Sequence, residues 1–215
     1  MPLVIFISMV IVIVLDWFQI VRGNKRFRYI TKPLSVALII VFFLLQIDSL
    51  EYPVWIFLLG LLFGLGGDIF LMFESDHWFL TGLVSFLLGH IAYIIGFFST
   101  GMVRPLWLAL LFFVPVVVLI VMILRPLLKA TEKQMRSALL AYGIVIGSML
   151  FSALCLLAND AWDSTATILA IAGAGLFVTS DALLASWKFL EKNNELWPMV
   201  TYHLAQLAIA ASVIV

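Results

Sequence analysis

The feature that most constrains this chain is a series of eight apolar runs separated by short polar connections. A helix needs roughly 20 apolar residues to cross the ~30 Å hydrocarbon core of a bilayer. The runs that approach or exceed this length are residues 3–21, 33–47, 53–73, 78–98, 106–124, 137–158, 166–187 and 197–215. The sequence therefore predicts an all-α fold, a polytopic membrane bundle of eight transmembrane helices.

Composition supports the same interpretation. Hydrophobic residues make up 65% of the chain and charged residues only 11%, which is more apolar surface than one water-soluble core can bury. No connection is long enough to separate two domains, so residues 1–215 are predicted to form a single transmembrane domain. The first run lacks a preceding basic region and a following cleavage site, so we interpret it as a retained span, not a signal peptide.

The basic residues orient the predicted bundle. With alternating spans, the segment 22–32 and the connections after the fifth and seventh runs all lie on one side of the membrane. These connections hold Arg22, Lys25, Arg26, Arg28, Lys32, Arg125, Lys129, Lys133, Arg136, Lys188 and Lys192, whereas only Arg104 lies on the other side. The positive-inside rule makes the basic side cytoplasmic and places both termini outside. We expect a multi-pass protein of the cell membrane, specifically the bacterial plasma membrane.

Several function classes are disfavoured. The formal net charge is zero, whereas a nucleic-acid partner requires a basic face. One cysteine, Cys155, cannot form an intrachain disulfide or a Cys-based zinc site. The GxSxG, Walker and HExxH motifs are missing, as is GxGxxG in a βαβ context. We therefore expect no nucleic-acid partner, no cofactor and no metal.

Ionisable residues inside the runs are the first candidates for function, because each costs free energy to insert into a membrane. They are Asp16, Lys32, Asp68, His90, Asp181 and His203. The three aspartates each lie five or six residues before the cytoplasmic end of their run. At 1.5 Å per residue this is about 8–9 Å below the boundary. A common depth is what a shared pocket open to the cytoplasm would require.

Neighbouring residues support an interior position for Asp68. Gly60 and Gly64 lie on its helical face and form a small-residue stripe that allows another helix to approach closely. Asp181 follows Thr179 and Ser180 in the segment GAGLFVTSDALLA. Two further pairs present hydrogen-bonding groups at helical spacing. These pairs are His90 with Tyr93 and Tyr202 with Gln206.

A purely structural interpretation stays open for each polar residue. Asp68 and Asp181 are also compatible with neutral carboxylic acids that join helices by hydrogen bonds. Asp16 fits a structural role better than a functional one, with Gln19 as a local partner. The two intramembrane histidines are equally compatible with satisfied core residues and with site members, and His77 reads as a solvated loop residue.

An internal duplication is also indicated. GDIFL in the third run and SDALL in the seventh share a small residue, an aspartate and a following leucine. The separation from Asp68 to His90 is 22 residues, as is that from Asp181 to His203. Two parallel halves of four spans would each contribute one aspartate and one histidine to a central site. A chance match is the alternative.

Together these motifs resemble the YhhN family, the lysoplasmalogenase-like multi-pass membrane proteins. The resemblance covers residues 30–207 and is carried by the segments KP at 32–33, GDIFLMF at 67–73, FLTGLVSFLLGHIAYIIGF at 79–97, GAGLFVTSDALLA at 173–185 and TYHLAQ at 201–206. It implies hydrolysis of the vinyl ether bond of lysoplasmalogens to a fatty aldehyde and a glycerophospho-base. It also implies that Asp68 and Asp181 are the catalytic pair.

Vinyl ether hydrolysis begins with protonation of an alkene carbon, and water then captures the oxocarbenium ion. The reaction needs one protonated carboxylic acid and one carboxylate, as in glycosidases. We expect the pair Asp68 and Asp181 to supply them, with either residue as the acid, and Lys32 to bind the headgroup phosphate. The residues expected to orient water or the glycerol hydroxyl are His90, Tyr93, Tyr202, His203 and Gln206. The expected partners are the lysophospholipid substrate and membrane lipids.

Three other functions remain compatible with the sequence. A metal-dependent lipid hydrolase would use His90, His203 and the aspartates as zinc ligands, although no close His-x-x-x-His spacing is present. A proton-coupled transporter also uses intramembrane carboxylates and internal repeats. A lipid-binding protein without catalytic activity is the third.

Overall fold

The computed structural model describes residues 2–99, 101, 106–191 and 195–215. Over these residues the chain forms eight α-helices and no strand. The helices are α1 (Pro2–Val21), α2 (Lys25–Gln46), α3 (Val54–Phe70), α4 (Asp76–Phe98), α5 (Leu106–Ala130), α6 (Lys133–Cys155), α7 (Ser164–Leu190) and α8 (Leu196–Ile214). A single 3₁₀ turn, Leu156–Ala158, extends α6. The predicted all-α polytopic bundle is confirmed.

Seven of these helices are long and apolar enough to cross a membrane, and α3 is a shorter apolar helix. The predicted third run, 53–73, therefore extends too far, since α3 has 17 residues and ends at Phe70. After Phe70 the backbone forms two hydrogen bonds of the 3₁₀ type. The Met72 N–H donates to the Ile69 carbonyl, and the Phe73 N–H donates to the Phe70 carbonyl. Such tight bonds are how helix ends commonly satisfy their last carbonyls.

The structure corrects the sequence prediction most clearly at α2. Residues 22–32 were expected to form a basic connection, but the helix begins at Lys25, and the side chain of Asn24 accepts a hydrogen bond from the Phe27 N–H. The run-based boundary was wrong because charged residues at a helix end do not prevent helix formation. Thr31, Lys32 and Ser35 consequently lie on buried turns of a helix.

The helix ends also change the predicted depth of the aspartates. Asp68 lies two residues before the end of α3, whereas Asp181 lies nine residues before the end of α7. The equal depth inferred from the run ends therefore does not carry over to the helices. The connection predicted after the fifth run is also mostly helical, because α5 continues to Ala130 and α6 begins at Lys133.

The strongest helix contacts repeat when four is added to each helix number, whereas the α5–α7 and α1–α8 contacts do not. Consecutive helices pair as α1 with α2, α3 with α4, α5 with α6 and α7 with α8. Helix α2 contacts α3 and α8, and α6 correspondingly contacts α7 and α4. The core between them is aromatic, with Phe57, Tyr93, Phe97 and Phe177 all at most 1% exposed. Many large apolar side chains remain exposed on the outer faces, as expected where a bundle contacts lipid.

Ion pairs join the connections at one end of the bundle, which we call the basic end. Lys25 Nζ lies 2.7 Å from Glu74 Oε1, and Lys188 Nζ lies 3.2 Å from Asp76 Oδ1. The neighbouring Lys25 ammonium lowers the pKa of the exposed Glu74 carboxyl. Under the predicted topology, which places both termini outside, this end is cytoplasmic.

Candidate functional site

Asp68 is the centre of a buried ionic group near the basic end. The residue as a whole is only 1% exposed, and Lys32 Nζ of α2 lies 3.3 Å from its Oδ1. The Tyr202 hydroxyl of α8 lies beside the carboxylate and interacts with it. The second oxygen of Asp68, Oδ2, is buried without a hydrogen-bond partner among the described residues. We call Asp68, Lys32 and Tyr202 the Asp68 cluster.

A chain of hydrogen bonds leads to this cluster from the middle of the bundle. The Tyr93 hydroxyl donates to Gln206 Oε1 at 2.7 Å, and Gln206 Nε2 donates to the Tyr202 hydroxyl at 3.1 Å. The Tyr202 proton is thereby left to face Asp68. The sequence paired Tyr202 with Gln206 on one face of α8, and the structure confirms that pair.

The glycines of α3 make room for this chain. A Cβ atom at Gly64 would lie 2.2 Å from Gln206 Nε2, and one at Gly60 would lie 2.3 Å from the Tyr93 ring. The small-residue stripe predicted on α3 therefore receives side chains of α4 and α8. None of the atoms nearest to these two glycines belongs to Asp181 of α7.

His203 lies next to the cluster with both ring nitrogens engaged. Trp17 Nε1 donates to Nδ1 at 3.0 Å, so Nδ1 accepts and the imidazole is neutral. The remaining nitrogen, Nε2, lies 2.7 Å from Ser35 Oγ, and that hydroxyl donates to the Lys32 carbonyl at 2.6 Å. His203 therefore supports the turn of α2 that carries Lys32.

Asp181 is the centre of a second group, formed with α4 and α6. The Tyr142 hydroxyl donates to Asp181 Oδ2 at 2.5 Å, and His90 Nε2 lies 3.1 Å from the same oxygen. The Tyr142 hydroxyl also lies 3.0 Å from His90 Nε2, so the three groups contact one another. The Asp181 side chain is 14% exposed, against 2% for Asp68. We call Asp181, His90 and Tyr142 the Asp181 cluster.

The structure does not bring the two carboxylates into contact. Among the described residues no hydrogen bond or ion pair joins Asp68 to Asp181. The two clusters instead meet through Phe177, whose ring centroid lies 5.1 Å from that of His90 and 5.7 Å from that of Tyr202. All eight residues expected to form the site lie in these two clusters or contact them.

Two pockets open beside the clusters. The first, the basic pocket, is a cavity of about 200 Å³ lined by Lys25, Arg28, Tyr29, Lys32, Glu74 and Glu195 among others. Arg28 Nη1 binds Glu195 at 2.8 Å, and Arg28 Nε is buried without a partner among the described residues. The second, the apolar pocket, reaches Asp181 and is lined by Phe79, Phe86, Leu124, Tyr142, Val178 and Phe189 among others.

The two pockets are lined at equivalent positions. Lys25, Arg28, Tyr29 and Lys32 line the first, and residues 110 positions later, Met135, Ala138, Leu139 and Tyr142, line the second. Leu71 and Leu184 are separated by 113 positions, as are Asp68 and Asp181. Tyr93 and Gln206 are also separated by 113 positions, and they bond to each other, as residues on a two-fold axis would. A 4+4 repeat, which stays a prediction, would give constant offsets of this kind.

Sequence reasoning missed four partners of the site: Trp17, Thr31, Ser35 and Tyr142. Thr31 and Ser35 were missed because the predicted boundary of α2 was misplaced. Tyr142 was missed because the sequence analysis concentrated on charged residues. Thr31 Oγ1 also donates to Asp16 Oδ1 at 2.7 Å, so the partner of Asp16 lies on α2, not at the expected Gln19. If the sequence analysis had predicted that α2 begins at Lys25, it would have placed Thr31 and Ser35 near Lys32 on the same helix.

The metal alternative required both histidines at one centre. The structure holds His90 and His203 in different clusters, and among the described residues no three His, Cys, Asp or Glu side chains are grouped to hold an ion. The zinc set considered from the sequence is therefore not assembled.

Fold and site together define a class: a polytopic membrane protein with paired ionisable clusters inside its helical bundle. The family model of the YhhN family matches residues 27–213. The chain therefore belongs to the YhhN family, as the motifs predicted. No curated protein and no solved structure matches the chain.

Proposed function

We propose that this protein is a membrane-embedded hydrolase that cleaves the vinyl ether bond of lysoplasmalogens. One observation carries the proposal. The two motif aspartates are built into buried clusters that adjoin two equivalent pockets, and one pocket is basic whereas the other is apolar. A lysophospholipid has the same division, with an anionic headgroup and a single hydrocarbon chain. Its vinyl ether bond lies between these two parts.

The basic pocket would receive the headgroup. Lys25 and Arg28 line it, and Arg28 has an unused buried donor in Nε. Guanidinium groups suit phosphate because their N–H groups match its oxygens. The sequence assigned this role to Lys32, but the ion pair with Asp68 places Lys32 between the pocket and the carboxylate. We therefore propose Lys25 and Arg28 as the outer phosphate ligands.

The apolar pocket would receive the alkenyl chain. A lipid that spans both pockets crosses the region between Asp68 and Asp181, where its vinyl ether group would lie. Phe86 separates the two sides, because it lines the apolar pocket and its ring packs edge-on against Tyr202 at 5.6 Å. Rotation of this ring would open the passage.

The reaction needs one proton donor and one carboxylate. The acid transfers a proton to the alkene carbon remote from the ether oxygen, and an oxocarbenium ion forms. The carboxylate stabilises this cation and accepts a proton from the attacking water. The resulting hemiacetal breaks its carbon–oxygen bond to the glycerol, releasing the aldehyde and the glycerophospho-base. Water is the only co-reactant: during the collapse the second carboxyl group gives its proton to the leaving glycerol oxygen, and the hemiacetal hydroxyl returns a proton to the first, so both groups regain their starting states.

The test is aldehyde release from an alkenyl lysophospholipid by the purified protein. We expect Asp68→Asn and Asp181→Asn each to lower kcat by at least ~100-fold, the contribution typical of a general acid or base. Asp76→Asn is the matched control, because Asp76 is an exposed aspartate at the same end, and it should keep full activity. Full activity in either of the first two variants would refute the paired mechanism.

A proton-coupled transporter is the second candidate, and the equivalent pockets on two sides of an axis favour it. Transporters built from repeats place carboxylates at the repeat interface. Uptake of a lysophospholipid into proteoliposomes under a proton gradient, with no aldehyde released, would support this function in place of hydrolysis.

A further inference from the structure

A groove on the outer face of the bundle adjoins the apolar pocket. It is a cavity of about 290 Å³ between α5, α6 and α7, lined by Leu119, Ile123, Leu150, Gly175, Thr179 and Ser186 among others. Leu119 is 40% exposed, and Thr179 is exposed as well. The cavity therefore opens towards the surroundings of the bundle, and we call it the α5–α7 groove.

The α5–α7 groove and the apolar pocket share three of their lining residues, which are Ile123 of α5 and Val178 and Ala182 of α7. Val178 is only 5% exposed. Because these side chains line both cavities, they form the wall between the groove and the pocket that reaches Asp181. The groove is thus the outward continuation of that pocket.

The sizes of the two cavities differ in a way that matters for a lipid. The apolar pocket measures about 60 Å³, which is room for only a few water molecules at about 10–15 Å³ each. The groove measures about 290 Å³. A long hydrocarbon chain whose first carbons lie beside Asp181 cannot end inside the pocket, so most of it has to continue into the groove.

The groove offers an apolar surface to such a chain. Its two hydroxyl groups donate within their own helix, Thr179 Oγ1 to the Gly175 carbonyl at 2.9 Å and Ser186 Oγ to the Ala182 carbonyl at 2.7 Å. Neither hydroxyl retains a proton for a ligand. No charged side chain among the described residues lines the groove. It therefore suits hydrocarbon and not a polar headgroup.

The groove also runs in the direction that a lipid chain takes in a bilayer. Gly175 lies six residues before Asp181 on α7, which is about 9 Å along the helix axis. Because α7 ends at the basic end, the groove extends from the level of Asp181 away from that end and into the membrane. A lipid whose headgroup lies in the basic pocket would direct its chain the same way.

The groove has free space on α7 and a weakened helix opposite. A Cβ atom at Gly175 would meet nothing within 4 Å. On α5, Pro115 and Pro126 flank the segment that carries Ile123. Each proline lacks an N–H and removes a helical hydrogen bond, so this segment of α5 is the part of the wall that moves from α7 most readily.

We propose that the α5–α7 groove binds the hydrocarbon chain of a lysophospholipid and is the lateral opening through which the chain enters the apolar pocket from the bilayer. Displacement of Ile123 from Val178 and Ala182 opens the wall. Chain binding is a claim about the groove alone, whereas its importance for turnover rests on the proposed function.

Photolabelling tests chain binding without turnover. The probe is an alkyl ether lysophospholipid with a diazirine in its chain, which has no vinyl ether to cleave, added to the protein in diacyl phospholipid bilayers. We expect label on Leu119, Thr179 or Leu183 that falls at least tenfold with excess unlabelled lysophospholipid and persists with excess diacyl lipid. Label on Ile144 and Ile168, which are 66% and 64% exposed, should resist both competitors because it comes from bulk lipid.

Two variants of α7 form a matched pair. Gly175→Leu fills the groove where a Cβ atom meets no neighbour, and Ile168→Trp adds bulk to the same helix outside the groove. We expect Gly175→Leu to reduce the competed label at least tenfold and to raise KM for a long-chain lysoplasmalogen at least tenfold, with no change in Ile168→Trp. A short-chain analogue should be cleaved equally by all three proteins, because it needs only the pocket. Thr179→Phe serves the same purpose if Gly175→Leu does not fold.

The outcomes separate the groove from the reaction. Competed label in the groove of a protein that releases no aldehyde would retain chain binding and refute the hydrolase. Label that ignores competition, or that is confined to Phe79 and Phe189 near the basic end, would overturn the groove even if aldehyde is released. An unlabelled groove in which Thr179→Cys forms a disulfide between two copies would assign the groove to a second chain and would also overturn the proposal.

Discussion

The Asp68 and Asp181 clusters occupy equivalent positions and use different chemistry. Asp68 is bound by an ammonium group that lies 3.3 Å away, whereas Asp181 accepts a hydrogen bond from a phenol and lies 3.1 Å from an imidazole nitrogen. Lys32 lies on α2, and Tyr142, which follows it by 110 positions, lies on α6. A single change of residue type therefore separates a site with a buried cation from one without.

Among these variants, the replacement of Lys32 should reduce stability the most. Lys32→Met leaves the buried Asp68 carboxylate without its ion-pair partner, and breaking a buried pair in this way costs about 3–5 kcal/mol. Tyr142→Phe removes one hydrogen bond to Asp181 and should cost about 1–3 kcal/mol. Unfolding by sodium dodecyl sulfate in mixed micelles measures both. Equal losses would show that the two clusters are not energetically distinct.

Two glycines provide the next comparison. Gly64→Ala places a Cβ atom 2.2 Å from Gln206 Nε2, whereas nothing lies within 4 Å of a Cβ atom at Gly175. We expect Gly64→Ala to destabilise the protein by about 1–3 kcal/mol through overpacking. Gly175→Ala should be neutral or stabilising by up to about 1 kcal/mol, because alanine favours the helix. The same unfolding assay applies, and a stable Gly64→Ala protein would contradict the tight contact.

Substrate affinity should distinguish the two pockets. Arg28→Gln removes charge from the basic pocket, and we expect KM for a lysoplasmalogen to rise by about tenfold, the equivalent of ~1.4 kcal/mol. The value of kcat should change little, because Arg28 contacts neither Asp68 nor Asp181 by hydrogen bond or ion pair among the described residues. Lys188→Gln, a change in an exposed ion pair of the same end, is the control. A fall in kcat alone would argue against headgroup binding.

The smallest effect should come from the surface pair of Lys25 and Glu74. Both side chains are more than 70% exposed, and such pairs contribute little to stability. The lowered pKa of Glu74 means that its small contribution is present above the unfolded-state pKa and is lost as pH falls through the lowered value. We expect Glu74→Gln to leave the unfolding midpoint unchanged at neutral pH. A clear decrease would assign this pair a structural role that its exposure does not predict.

Many residues of the candidate site could be predicted from the sequence, because inserting a charged side chain into a membrane costs free energy. Asp68, Asp181, His90 and His203 stand out in apolar runs, and the structure places all four inside the bundle. Their partners were harder to find because Ser35, Thr31 and Tyr142 are neutral and common in membrane helices. The sequence also did not predict which histidine contacts which aspartate. The equal spacing suggested one aspartate and one histidine in each predicted half, whereas in the structure His90 of the first half contacts Asp181 of the second.

The sequence by itself determined the class of fold, the number of helices and which aspartates lie inside the bundle, because hydrophobic length and buried charge are properties of short segments. Tertiary structure alone decided that Lys32 pairs with Asp68, that Asp16 pairs with Thr31, that Asp181 belongs with Tyr142, and that the two pockets differ in polarity. These facts depend on which helix faces are brought together. Helices within a bilayer have no hydrophobic drive to separate one apolar face from another, so close packing and a few buried polar groups select the partners.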